Sequence, residues 1–208
     1  MKKYSYVGIS FIILIFGIYS VPKIVNKLKT PKLALIAKVP QFELINQDST
    51  LISNSFYNNK VYVVEFFFTS CPTICPKMNE NMVKIQNEFY GNLNFGIVSI
   101  SIDPKNDTPN ILKEYAKNLE ATSKTWNFLT GDTNIIYKLA NTGFTLYAGE
   151  NSAAAGGFEH SGMFALVDKK GNIRSRFDAH GNPIGFYNGL DAKGIQMIKE
   201  DIVILLKE

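Results

Sequence analysis

The sequence has few of the residues from which disulfide scaffolds and soft-metal sites are built. Its 208 residues include only two cysteines, two histidines and one tryptophan. Two cysteines are too few to staple a small disulfide-rich fold, and a chain of this length does not need such staples. Any thiol or imidazole chemistry must therefore come from Cys71, Cys75, His160 and His180.

Long runs of one charge are also missing. The net charge is +4, from 22 Lys and Arg against 18 Asp and Glu, and the positive residues are scattered along the chain. This pattern does not favour a nucleic-acid surface, which usually needs a clustered basic patch. Since 46% of the residues are hydrophobic, the composition is typical of one well-filled globular domain.

The amino terminus differs from the rest of the chain. Lys2 and Lys3 precede an uncharged run from Tyr4 to Val21, about the length that spans a bilayer. A secretory signal peptide is the competing interpretation, but small residues are poorly placed for cleavage, and no cysteine follows for lipoprotein processing. We therefore expect residues 1–22 to form an uncleaved membrane anchor.

The orientation of this anchor is ambiguous from its flanks. Four lysines between residues 23 and 32 follow the run, and only two precede it. The positive-inside rule alone would leave the following domain in the cytoplasm. Residues 23–40, which contain several lysines and prolines, are predicted to be a tether.

From residue 41 onwards the pattern alternates between strand and helix. Continuous apolar runs at 61–68 and 95–102 predict strands buried on both faces. Further strands are predicted at 126–129, 144–147, 163–167 and 173–177, and helices at 73–90, 134–141 and 195–206, with another starting at Asp107-Thr108-Pro109. Residues 41–208 are therefore predicted to form an α/β domain with a central sheet flanked by helices.

The two cysteines lie in the segment FFFTSCPTICPKM, between a predicted strand and the start of a predicted helix. Helix amides stabilise a thiolate there, so we expect a lowered pKa at Cys71. A structural disulfide would contribute only about 2 kcal/mol because the loop is short. A redox pair and a soft-metal site remain open, and two thiolates with one imidazole would suit Cu(I).

The histidines differ in their surroundings. His160 lies in GGFEHSGMFALVD, directly before a predicted strand, and is the better candidate ligand. His180 lies in the turn-like FDAHGNP and is expected to be exposed. A Cys2His2 zinc site is possible by count, but the spacing of the histidines does not match a zinc finger.

Four segments, in order, resemble the Sco (SenC/PrrC-like) family of copper-binding proteins: TSCPTICP, SIDPKNDTP, WNFLTGD and EHSGMFALVDKKGNIR. The resemblance implies a thioredoxin-like fold behind a membrane anchor. It also implies that Cys71, Cys75 and His160 bind copper, as Cu(I), Cu(II) or both.

The same resemblance implies a role in the assembly of cytochrome c oxidase. The expected partner is the copper-accepting subunit, which would receive the ion at its dinuclear copper site. The expected location is a bacterial inner membrane, with the soluble domain in the periplasm or other extracytoplasmic space, against the lysine count.

A thiol–disulfide oxidoreductase that reduces the oxidase cysteines or other proteins is the alternative. Thioredoxin-like reductases usually have a cis-proline before the strand that faces the cysteine pair. In this sequence the corresponding segment is Glu159-His160-Ser161-Gly162, which has a histidine and no proline. This difference favours a metal ligand over a peptide-binding groove. Under this alternative Cys71 and Cys75 would be the redox-active residues.

Three acidic residues near these motifs are open in role. Glu65 interrupts an apolar strand and is expected to face the sheet edge or pair with a lysine, although a buried acid could assist thiol chemistry. Asp107 is expected to cap the following helix. Asp103 ends a strand where ligands collect in α/β sheets, and so could line the site.

Overall fold

The structure is a computed structural model that describes the backbone of residues 5–28 and 32–208. The chain divides into two compact units, Met1–Lys32 and Leu33–Glu208. In chain order, the α-helices and strands are α1 Ser5–Leu28, β1 Ala34–Lys38, β2 Glu43–Asn46, β3 Leu51–Ser53, β4 Val61–Phe67, α2 Cys75–Glu88, β5 Phe95–Ser101, α3 Pro109–Asn118, β6 Trp126–Thr130, α4 Thr133–Lys138, β7 Ala148–Glu150, β8 Phe158–His160, β9 Met163–Val167, β10 Asn172–Ser175, β11 Tyr187–Asn188 and α5 Ala192–Lys207.

One large sheet organises the second unit. Its strand order is β1-β10-β9-β4-β5-β6-β2-β3, and β11 pairs with β9. The three central strands β4, β5 and β6 run parallel, while the neighbouring strands on either side are antiparallel. All residues of β4 and β5 are buried, as expected for strands covered on both faces. The predicted α/β domain with a central sheet is confirmed.

The helices cover this sheet through apolar faces with helical spacing. In α2, Met78, Met82 and Ile85 are fully buried, which agrees with the periodicity of the sequence. In α5, Ile198 and Ile202 are fully buried, and this helix packs against β4 and α2. The helices therefore hold β4, and with it the segment that follows β4, inside a continuous core.

The first strand of the sheet lies earlier in the chain than the sequence predicted. Residues 34–38, assigned to the tether from sequence, form β1, which pairs with β10. Prolines and lysines on both sides hid the short apolar sequence LALIA. β1 pairs with one strand only and most of its residues are not buried, so its run of apolar residues is shorter than those of β4 and β5.

The first unit contains α1, most of which falls within the predicted anchor. Met1 to Tyr4 lie outside the described residues. Within the part of the chain that is described, no helix is long and apolar enough to cross a membrane.

The segment around residue 144 also differs from its prediction. A π-helix, Leu139–Phe144, continues α4, and Thr145 follows in the left-handed conformation. The predicted extended segment at 144–147 is therefore wrong at Phe144 and Thr145, and the next strand, β7, begins at Ala148. The strands β7 and β8 form a separate two-stranded sheet, whose polar and glycine-rich sequence gave no strand signal.

Candidate metal centre

The two cysteines lie at the carboxyl end of β4, where parallel α/β sheets usually collect ligands. Cys71 is in the loop after β4, and its amide donates a hydrogen bond to the Phe68 carbonyl at 3.2 Å. Cys75 is the first residue of α2, which has Pro76 in its first turn. The helix therefore begins at Cys75, later than the predicted residue 73, and only Cys75 belongs to it.

His160 is brought to the cysteines by the β7–β8 hairpin. It is the last residue of β8 and lies opposite Ala148 of β7. Its Nε2 is 2.9 Å from Cys75 Sγ, and its Nδ1 is 3.1 Å from the Ser161 carbonyl oxygen. Because a carbonyl only accepts, Nδ1 carries a hydrogen, and Nε2 is the ring atom that faces the Cys75 sulfur.

The three side chains form one compact donor set. A sulfur of Cys71, a sulfur of Cys75 and a ring nitrogen of His160 all lie within 4.8 Å of one another. All three residues are buried, with 7%, 1% and 7% of their surfaces exposed. Two thiols and an imidazole fit a soft ion such as Cu(I) better than Mg²⁺ or Ca²⁺, which prefer oxygen.

The two thiols have opposite acidities. Burial opposes ionisation of Cys71, but the His160 and Cys75 side chains and the local backbone stabilise its thiolate, which lowers its pKa to about 5. Burial and the adjacent Cys71 thiolate raise the pKa of Cys75 far above its usual range. At neutral pH the pair therefore carries one negative charge, on Cys71. The predicted lowering of the Cys71 pKa is confirmed, although the contacts that cause it come from His160 and Cys75 as well as from the backbone.

The cysteines are free thiols and not a disulfide staple. A cleft of about 360 Å³ reaches Cys71 and His160 from the surface. Its walls are Phe68, Thr73, Ile74 and Phe158, together with the hairpin residues 151, 153–155 and 159. Cys75 does not line the cleft, so an incoming group meets Cys71 and His160 first.

The amino-acid sequence of the chain also matches a known protein family. A family model described as SCO1/SenC matches residues 32–192. The chain belongs to this family. The resemblance based on the four motifs is confirmed.

Two relatives show how similar the chain is to other proteins and how much of each protein the similarity covers. The SCO1 protein homolog of Bacillus subtilis is 38% identical over 95 residues, which cover 45% of this chain and about half, 49%, of that protein. The solved structure of BsSco, described as a member of the Sco family of cytochrome c oxidase assembly proteins with a disulfide switch, is 27% identical. It has a TM-score of 0.70 and covers 85% of this chain and 97% of its own.

A more distant relative shares the fold. Yeast Sco1, solved with copper bound, is 21% identical, with a TM-score of 0.60, and the match covers 81% of this chain and 90% of that chain. At this identity the comparison speaks for the fold alone. The thioredoxin-like architecture of the Sco family is therefore the architecture of this chain.

Glu65 does not have the surroundings expected from sequence. It lies in β4, between β5 and β9, and is completely buried. Its Oε1 accepts a hydrogen bond from Ser99 Oγ at 2.6 Å, and Oε2 has no partner among the described residues. The expectation of an edge position or a lysine partner is therefore wrong. Burial, partly offset by Ser99, raises the pKa of Glu65 to about 7.

Asp107 does not cap α3. The residue before this helix is Thr108, which makes no capping hydrogen bond through its side chain. Instead, Asp107 accepts hydrogen bonds from the Thr69 amide and hydroxyl and from the Ser101 hydroxyl. The predicted cap is wrong, because the nearby buried donors compete for the carboxylate.

The remaining candidates lie outside the donor set. Asp103 is buried and accepts a hydrogen bond from Asn106 at 2.7 Å, and it is not among the residues that line the cleft. His180 is exposed in a turn, as expected. Sequence reasoning missed the roles of Thr69 and the Ser161 carbonyl, since neither a threonine nor a main-chain oxygen has a distinctive pattern.

Proposed function

We propose that the protein is a copper chaperone that holds one copper ion through Cys71, Cys75 and His160. The observation that supports this assignment is the buried set of two sulfurs and one imidazole nitrogen within 4.8 Å. Copper-bound yeast Sco1, which has the same fold, adds support. The proposed acceptor is the copper-accepting subunit of cytochrome c oxidase, and the description of BsSco as a member of a family of cytochrome c oxidase assembly proteins supports a link to this enzyme.

The thiol acidities explain how this chain would take up and release the ion. Cys71 is already a thiolate at neutral pH, whereas Cys75 must lose a proton when its sulfur binds copper. A three-coordinate ion leaves room for a thiolate or imidazole of an acceptor entering through the cleft. As the acceptor ligands replace the protein ligands, Cys75 takes up a proton and Cys71 remains a thiolate. No electron is transferred in this exchange.

A competition titration with Cu(I) tests the role of His160. His160→Ala should weaken binding at least about tenfold, or 1.4 kcal/mol, because one of three ligands is lost. His180→Ala is the matched control, since it removes the exposed histidine, and it should bind like the parent. Equal affinities for His160→Ala and the parent would contradict the proposal.

A second candidate function is thiol–disulfide exchange. The lowered pKa of Cys71 makes it a nucleophile at neutral pH, and Cys75 lies beside it as a resolving thiol. The same variant separates the two functions. Loss of copper affinity with retained reductase activity in His160→Ala would favour exchange as an independent activity of the cysteines.

We further propose that the N-terminal unit anchors the protein at the inner membrane, with the copper domain outside the cytoplasm. The uncharged run from Tyr4 to Val21 supports this proposal. So do the large apolar side chains of α1, because those of Ile9, Phe11 and Phe16 are more than half exposed to solvent. Such a surface is stable against lipid rather than water.

A further inference from the structure

Cys71 is held differently from the other two donors. Cys75 is fixed by the first turn of α2, and His160 by the ladder between β7 and β8. Cys71 lies between β4 and α2, outside any helix or strand. The position of its sulfur therefore depends on the contacts that hold this loop.

The strongest of these contacts converge on Asp107. Its Oδ2 is 3.0 Å from the Thr69 amide nitrogen and 2.5 Å from Ser101 Oγ, and its Oδ1 is 2.5 Å from Thr69 Oγ1. Asp107 is completely buried, so these charge-assisted bonds are shielded from water. They connect the residue two positions before Cys71 to the end of β5.

Asp107 is itself firmly placed. Its amide donates a hydrogen bond to the Asp103 carbonyl at 2.9 Å, and the Asp103 amide donates to Ser101 Oγ at 3.1 Å. The turn from 103 to 107 is thus attached to the end of the central strand β5. A loop bonded to this turn takes its position from the rigid sheet.

We propose that Asp107 is a positioning residue, which holds Thr69 so that the Cys71 sulfur stays within reach of Cys75 and His160. The importance of this position for copper rests on the proposed function, but the contacts themselves require no metal. Loss of Asp107 should displace Cys71 and leave the contact between Cys75 and His160 in place.

Three variants of the full chain separate position from charge and from stability. Asp107→Ala removes all three contacts. Asp107→Asn can keep them, because its oxygen can accept from the Thr69 amide and Ser101, while its NH2 donates to the Thr69 hydroxyl. Asp201→Asn is the stability control. It alters another buried carboxylate, which lies on α5 and is hydrogen-bonded to Arg176 and Tyr187.

The first measurement is the pH dependence of Cys71 alkylation by iodoacetamide in the metal-free, reduced protein. In Asp107→Ala the midpoint should rise by about one pH unit, because the thiolate loses its stabilising neighbours. Removal of a nearby negative charge alone would move the midpoint downwards. Asp107→Asn and Asp201→Asn should therefore show no rise.

The second measurement is the affinity for Cu(I). Asp107→Ala should bind about tenfold more weakly, within the range typical of residues that orient metal ligands, and Asp107→Asn should keep most of the affinity. The proposal is overturned if Asp107→Ala resembles Asp201→Asn in both measurements, or if Asp107→Asn is as impaired as Asp107→Ala.

Two milder variants apply if Asp107→Ala does not fold. Thr69→Val removes one donor and should shift both measurements in the same direction by less, while Thr69→Ser should restore them. Parental behaviour of Thr69→Val in both would overturn the proposal. If the parent does not bind Cu(I), the chaperone function fails, yet the alkylation midpoints still decide whether Asp107 positions Cys71.

Discussion

At the scale of single residues, the two cysteines show how the surroundings divide identical side chains into two roles. Cys71 borders the cleft and has a pKa lowered to about 5, whereas Cys75 is almost fully enclosed and its pKa is raised. His160 lies against both. We therefore expect Cys71 to meet the acceptor first and Cys75 to release copper last.

Glu65 makes a testable contribution to stability that changes with pH. Its pKa is raised from 4.5 to about 7, mainly by burial, so the folded state holds this proton more tightly than the unfolded state. Its stabilising effect is complete below about pH 4.5 and is lost as the pH rises to about 7. The loss should be about 3 kcal/mol for a shift of this size.

Glu65→Gln should abolish this part of the pH dependence. Urea unfolding of the metal-free full chain can be followed through Trp126, the only tryptophan, which is buried. The stability difference between parent and variant should change by about 3 kcal/mol between pH 4.5 and 7. Glu114→Gln, at an exposed position, is the control. Parallel curves for the parent and Glu65→Gln would show that burial does not raise the Glu65 pKa.

At the scale of elements, predictability follows burial. The strands β4 and β5 are covered on both faces, and their continuous apolar runs were sufficient to find them. β1 lies at an edge, and β7 and β8 have only three residues each. Their patterns are too short or too polar to stand out, and β10, the partner of β1, is distant from it in sequence.

The proposed anchor is the element with the most direct cellular test. The full chain should sediment with membranes and resist extraction by alkaline carbonate, because lipid would cover the apolar side chains of α1. A chain that begins at Leu33, the start of the second compact unit, should remain in the soluble fraction. Release of the full chain from membranes by alkaline carbonate would contradict the proposed anchor.

At the scale of the whole molecule, the donor set depends on tertiary structure. Cys75 and His160 are 85 positions apart and meet because β9 pairs with β4 while the β7–β8 hairpin precedes β9. The sequence showed that Cys71 and Cys75 could act together, since their spacing is local. The local sequence made His160 the better candidate of the two histidines, but its place beside the cysteines was implied only by the family resemblance, because no local pattern indicates contacts over this separation. The hydrogen bonds between Thr69 and Asp107 also join residues far apart in sequence, so no local pattern predicted them.

X-ray absorption spectroscopy of the Cu(I)-loaded full chain tests the copper site itself, because it identifies the atoms bound to the ion. We expect two sulfur neighbours and one nitrogen neighbour from a histidine. The nitrogen should disappear in His160→Ala and remain in His180→Ala, and one sulfur should disappear in Cys75→Ser. A nitrogen that remains in His160→Ala, or two sulfurs that remain in Cys75→Ser, would contradict a copper site formed by Cys71, Cys75 and His160.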